Sequence, residues 1–146
     1  MGNAIPLHFV FYIGGTPEKV WETFVSPESN RIIFAGADFR ADLRAGGKME
    51  WVGPGPDGKE TTYVSGEILR CDPPKILQYT FRLGQSPTKS RVTLELIPES
   101  EATKMSITHD EWAADDAGYA FTADGWPRIL SRMKTLIETG KTFKPH

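Results

Sequence analysis

The spacing of apolar residues changes character several times along the chain, and each change marks an element. Ile5 to Ile13 is dense in aromatic and β-branched residues, the composition of a strand. Gly14-Gly15 closes it. Thr16-Pro17-Glu18-Lys19 then reads as a helix start, with Thr16 as N-cap, Pro17 in the first helical position and Lys19 where a capping box would carry Glu. Val20, Trp21 and Phe24 supply the apolar stripe of that helix. Ser26 before Pro27 repeats the start signal, which predicts a second short helix directly after the first.

From Phe39 to Trp112 the period drops to two. RAGGKMEWV reads as a strand opened by Gly46-Gly47, and Asp57-Gly58 is the strongest hairpin signal in the chain. Thr61 to Arg70 is a strand whose isolated Gly66 predicts a bulge or sharp bend. CDPPK turns the chain into ILQYTFRL, and GQSPTK turns it again. SRVTLELIP and ATKMSITHDEW form a last pair around the loop ESE. One hairpin after another predicts an antiparallel meander.

The last element is helical. Trp126, Ile129, Leu130, Met133, Leu136 and Ile137 fall on one helical face, with Arg128, Arg132 and Lys134 on the other and Gly140 as the stop. Pro127 either kinks a helix that begins near Ala117 or is the first-turn proline of a helix starting at Gly125; Tyr119 and Thr122/Ala123 extend the stripe backwards, which favours the long, bent helix. The order strand, two short helices, meander, long helix predicts an α+β domain over residues 1–146. In it the helix covers one face of a curved sheet of six or seven strands. Space left between them, lined by aromatics and a few polar groups, would be a small-molecule pocket.

Composition narrows the partners. A net charge of -2 gives no nucleic-acid footprint, and no apolar run reaches the length of a membrane span. Cys71 is the only cysteine, which excludes an internal disulfide and suits a reducing cytoplasm. MGNAIPLHFVFYI lacks a basic start and a cleavage site, arguing against a signal peptide, and Pro6 spoils a myristoylation pattern on Gly2. Gly14-Gly15 before a helix start could hold an anion but lacks the rest of a nucleotide motif. No cofactor is implied, and a homodimer is the default oligomeric expectation.

Strand alternation selects the candidate site. With Met105 and Ile107 inward, His109 and Glu111 share their face and Asp110 points away. Met49 and Trp51 form one inward row, and Leu77, Tyr79 and Phe81 form the next. Trp126 and Leu130 meet them from the helix. Arg82, Arg91 and Glu67 alternate with inward apolar residues and are expected outside. A His and a Glu two apart give only two metal ligands, and His8 and His146 add no ligand spacing, so no metal is expected. His109 is read mainly as an orienting or structural group and only secondarily as a general acid or base.

Five motifs carry a family resemblance: TPEKVWETFVSPE (16–28), RAGGKMEW (44–51), GEILRCDPPKILQYTF (66–81), RVTLELIPESEATKMSITH (91–109) and DGWPRILSRMKTLIETG (124–140). In this order they resemble the SRPBCC superfamily, also called START-like or birch-pollen-allergen-like, in its branch of activator of heat-shock-protein-90 ATPase homologues. The resemblance implies a helix-grip fold, with seven antiparallel strands around a long C-terminal helix and an apolar cavity between them. It also implies a His at the end of the last strand facing that cavity, and packs the Trp126 of the GW signature between helix and sheet. Three functions follow as expectations. The first is binding of a small hydrophobic or amphipathic ligand. The second is a cyclase, dehydratase or hydrolase acting on an aromatic or polyketide-like substrate, with His109 assisted by Tyr79 or Glu111. The third is a chaperone-linked interaction module.

Overall fold

Thr16 and Ser26 start their helices where the sequence places them. In the computed structural model of the chain, which describes residues 5–34 and 36–144, strand β1 (Leu7–Ile13) is followed by α1 (Pro17–Val25) and α2 (Pro27–Ile33). Thr16 Oγ1 accepts the Lys19 N–H at 3.1 Å, satisfying one of the donors a helix start leaves open. Ser26 is at once the C-cap of α1 and the N-cap of α2, its hydroxyl accepting from the Ser29 N–H. The readings made on Gly2 and His146 lie outside the described residues.

Six strands follow: β2 (Asp38–Ala41), β3 (Lys48–Pro54), β4 (Glu60–Asp72), β5 (Ile76–Leu83), β6 (Ser90–Glu99) and β7 (Ala102–Asp110). They form one seven-stranded sheet in the order β1-β7-β6-β5-β4-β3-β2, every neighbouring pair antiparallel. The long helix α3 (Tyr119–Thr139) runs through Pro127 and ends on Gly140, whose φ of 81° is the left-handed C-cap glycine tolerates. This is an α+β helix-grip arrangement. Helix α3 presses Trp126, Leu130 and Met133 onto the sheet, all buried.

Gly66 is a close approach rather than the bulge itself. A Cβ there would stand 1.8 Å from the Thr80 carbonyl oxygen of β5. The bulges flank it: the β3–β4 register slips at Tyr63 and the β4–β5 register at Leu69. Two extra residues in one strand raise its local twist, and β4 thereby curves around the space under α3.

Two expectations about side-chain direction are corrected. Arg132 lies on a buried side of α3, because the C-terminal carbonyls of α2 sit against it. Its guanidinium donates to the carbonyls of Ile33 (2.7 Å), Ile32 and Phe143 (3.0 Å). Glu111 does not continue the inward row of β7. The strand stops at Asp110 and Glu111 has φ 60°, which turns the chain out of the sheet toward α3. The Glu111 carboxylate is consequently exposed and lies 3.4 Å from Arg91, which also holds Asp110 through two hydrogen bonds. Arg82, Arg91 and Glu67 lie on the outer face, Arg91 half-buried by its acidic partners.

Candidate functional site

Between the sheet and the first half of α3 lies a cavity of about 870 Å³. Its sheet wall is Trp51, Val64, Phe81 and Leu83, and its helix wall is Thr122, Gly125, Trp126, Ile129 and Arg132. Ile33 and Phe34, at the end of α2, close one side, while Phe121 and Phe143 stand exposed at the rim. The wall is overwhelmingly apolar. Its charged members are Arg128, Arg132 and Lys144, and among the described residues no Asp or Glu lines it. A space of this size and lining matches what small-molecule sites present.

The residues singled out from the sequence divide into three groups. Trp51, Phe81 and Trp126 form cavity wall. Met49, Tyr79, Ile107 and Leu130 are buried in the core behind it, and His109 is buried at its end. Glu111 is outside.

The tryptophans of the wall, Trp51 and Trp126, are fixed by their indole N–H groups. Trp51 Nε1 donates to Asn30 Oδ1 at 2.9 Å, and Asn30 in turn gives both amide hydrogens to the carbonyls of Phe24 and Ser26. Asn30 is fully buried, so a polar side chain on α2 locks the sheet to the junction of the two short helices. Trp126 Nε1 donates to His109 Nδ1 at 3.0 Å. An indole nitrogen only donates, so Nδ1 must be the acceptor and the imidazole proton sits on Nε2. That proton points at Ser90 Oγ, 2.6 Å away.

His109 is therefore neutral, with both nitrogens committed to the protein. Burial pushes its pKa down to about 3, against weaker opposing pulls from Asp110 and Asp116. Trp112 stacks on the ring with centroids 4.1 Å apart and returns its own indole N–H to the His109 carbonyl. Phe81 meets the ring edge-on at 4.7 Å. A base needs a free lone pair within reach of a substrate proton. His109 offers none in this arrangement; it joins β6, β7 and α3.

Among the described residues, the buried hydroxyls of Tyr79 and Thr122 lack hydrogen-bond partners. Burial raises the Tyr79 pKa, so its phenol stays protonated. At the N-terminal glycine pair, the Gly14 N–H donates to Glu138 Oε2 at 2.7 Å, and Lys134 lies 2.6 Å from the same oxygen. The anion at that position is the protein's own. Among the described residues no group of three or more His, Cys, Asp or Glu side chains is placed to hold a metal. No helix among them is long and apolar enough to cross a membrane.

Thr122, Gly125, Ile129 and Arg132 were not among the sequence candidates. They fall at i, i+3, i+7 and i+10; Thr122 and Ile129 belong to the stripe that periodicity picks out, and Gly125 and Arg132 lie beside it. The available signal was Gly125, a glycine inside a helix that costs about 1 kcal/mol relative to alanine and so implies a local reason.

The family model described as "Activator of Hsp90 ATPase homolog 1-like protein" matches residues 15–138. No curated protein matches the chain significantly. Among solved structures, a Cytophaga hutchinsonii protein superposes with a TM-score of 0.76 at 24% identity, over 96% of this chain and 98% of that one. The Aha1 dimer from Colwellia psychrerythraea gives 0.75 at 16% identity, over 94% and 98%. An HSP90 activator from Plasmodium falciparum gives 0.76 at 18%, over 92% and 97%. These likenesses establish the shared fold.

Proposed function

The chain belongs to the Activator of Hsp90 ATPase homolog 1-like family, and on that premise we propose that it binds a small hydrophobic or amphipathic molecule between sheet and α3. The observation that carries this reading is the apolar cavity of about 870 Å³ beneath α3. A ligand seated there gives up water contact against aromatic and aliphatic walls, at about 25 cal/mol for each Å² of apolar surface buried. Binding is favoured over catalysis because, among the described residues, the histidine beside the cavity, His109, has both ring nitrogens hydrogen-bonded within the protein. The setting that fits a lone cysteine is a reducing cytoplasm.

A thermal-shift screen against a library of apolar and amphipathic small molecules tests it. At least one compound should raise Tm by several degrees, since a ligand that binds only the folded state stabilises it. A flat response across such a library would contradict the reading.

A second reading, a chaperone-linked interaction module, is favoured by the family description and by the exposed Phe121 at the cavity rim. It expects the chain to stimulate a 90-kDa heat-shock chaperone ATPase, and no stimulation at saturating chain would remove it. The Colwellia relative is described as a dimer, which supports a homodimer here.

A further inference from the structure

We infer that Arg132 is the head-group anchor of the cavity and that the ligand is a monocarboxylate carrying an apolar tail. This rests on the proposed cavity-binding function and names its ligand class.

The chain as a whole carries a net charge of -2, yet among the described residues every charged side chain lining the cavity is a cation. The three cations are not equivalent. Arg128 is largely exposed and already paired with Asp124 at 3.0 Å. Lys144 is exposed. Arg132 is only 5% exposed, and no carboxylate among the described residues lies within ion-pair distance of it.

Hydrogen bonding then shows what Arg132 still offers. A guanidinium has five N–H donors. Three are given to the carbonyls of Ile32, Ile33 and Phe143, which fix the plane of the group. Neutral carbonyls orient the charge without cancelling it. Two donors remain, and one positive charge that no described carboxylate compensates, in a wall that is otherwise nearly all apolar. Burial accordingly holds the Arg132 pKa below the ordinary arginine value. A buried charge without a partner is unfavourable, and breaking or leaving such a pair incomplete is costly.

A carboxylate fits this remainder. Its oxygens can accept from the N–H donors left on Nη1 and Nη2, and its single charge neutralises the single cation. A dianion such as a phosphate monoester would bring a second negative charge into the same apolar surroundings. If the role of Arg132 were confined to capping the carbonyls of α2, the head group of a ligand would make no difference.

Calorimetric titration of the full chain at pH 8 tests this with decanoic acid and pyrenebutyric acid, each against its alcohol and its methyl ester. Decyl phosphate completes the set. The acids should bind on the order of tenfold tighter than their alcohols and esters, the effect of a charge-assisted hydrogen-bonded pair. Arg132→Gln keeps donors for the α2 carbonyls and loses the charge. It should lose the preference for the acid over the alcohol and the ester. The series on the native chain decides the matter alone if the variant does not fold. Equal binding of acid, alcohol and ester would overturn the anchor while leaving the apolar site standing. Tighter binding of decyl phosphate than of decanoic acid would overturn the monocarboxylate assignment. Binding of none of them would remove the cavity reading and this inference with it.

Discussion

Replacing His109 with alanine should lower the unfolding free energy by about 4 kcal/mol at pH 7. The change strips Trp126 Nε1 and Ser90 Oγ of their partner at once, leaving two buried polar groups whose desolvation costs about 1–3 kcal/mol each. It also empties the space that Trp112 and Phe81 pack against from two sides. His109→Gln offers one acceptor and two donors on a planar group and should recover part of the loss. Urea unfolding followed by circular dichroism reads both variants. Native-like stability of His109→Ala would show that the histidine is not the structural tie described here.

The same residue makes stability depend on pH. The folded state holds His109 neutral with a pKa of about 3, whereas in the unfolded chain it titrates near 6.5. Between those values the unfolded chain binds a proton that the folded chain refuses. The stabilisation from neutral His109 is complete above pH 6.5 and is lost as the pH falls toward 3, amounting to roughly 3 kcal/mol by pH 4. His109→Gln has no such group, so its stability should fall less steeply over this window. Parallel acid-side slopes for the two proteins would contradict the assignment.

Gly66→Ala should be nearly as damaging, at about 3 kcal/mol or a drop in Tm of about 10 °C. The added methyl would lie 1.8 Å from the Thr80 oxygen and 2.8 Å from its carbonyl carbon. Both belong to backbone held in the β4–β5 ladder, so relief requires moving a strand rather than turning a side chain. Met49 Sδ, at 3.1 Å, blocks the other direction. A loss under about 0.5 kcal/mol, the ordinary size of a surface substitution, would mean the two strands are not so closely seated.

Most of this architecture is written in local pattern. Thr16-Pro17 and Ser26-Pro27 name the helix starts by their own chemistry, and the period-2 run of β7 directs Met105, Ile107 and His109 inward without reference to distant residues. Legibility fails where tertiary contact decides. Glu111 continues the alternation on paper, but the chain must leave the sheet there to reach α3, and its positive φ breaks the period. Arg132 occupies a polar face by count, yet the open carbonyls ending α2 make that face a buried hydrogen-bonding site. Asn30 gave no signal of its role because its partners, Trp51, Phe24 and Ser26, are assembled only by the fold. The cavity escapes for a similar reason: periodicity finds the apolar stripe of α3 but does not separate its members that pack on the sheet, such as Leu130 and Met133, from those that border open space, such as Thr122 and Ile129.

The central claim, that the space under α3 is where a ligand sits, is tested most directly by filling it. Gly125 lines the cavity, and a Cβ at this position meets no atom within 4 Å. Gly125→Phe should therefore fold, gaining helix propensity of about half a kcal/mol, while its ring takes up space in the cavity. Titrated with decanol, a neutral probe, the native chain should bind one molecule per chain and Gly125→Phe should bind it more weakly. Equal binding by the folded variant and the native chain would contradict the account.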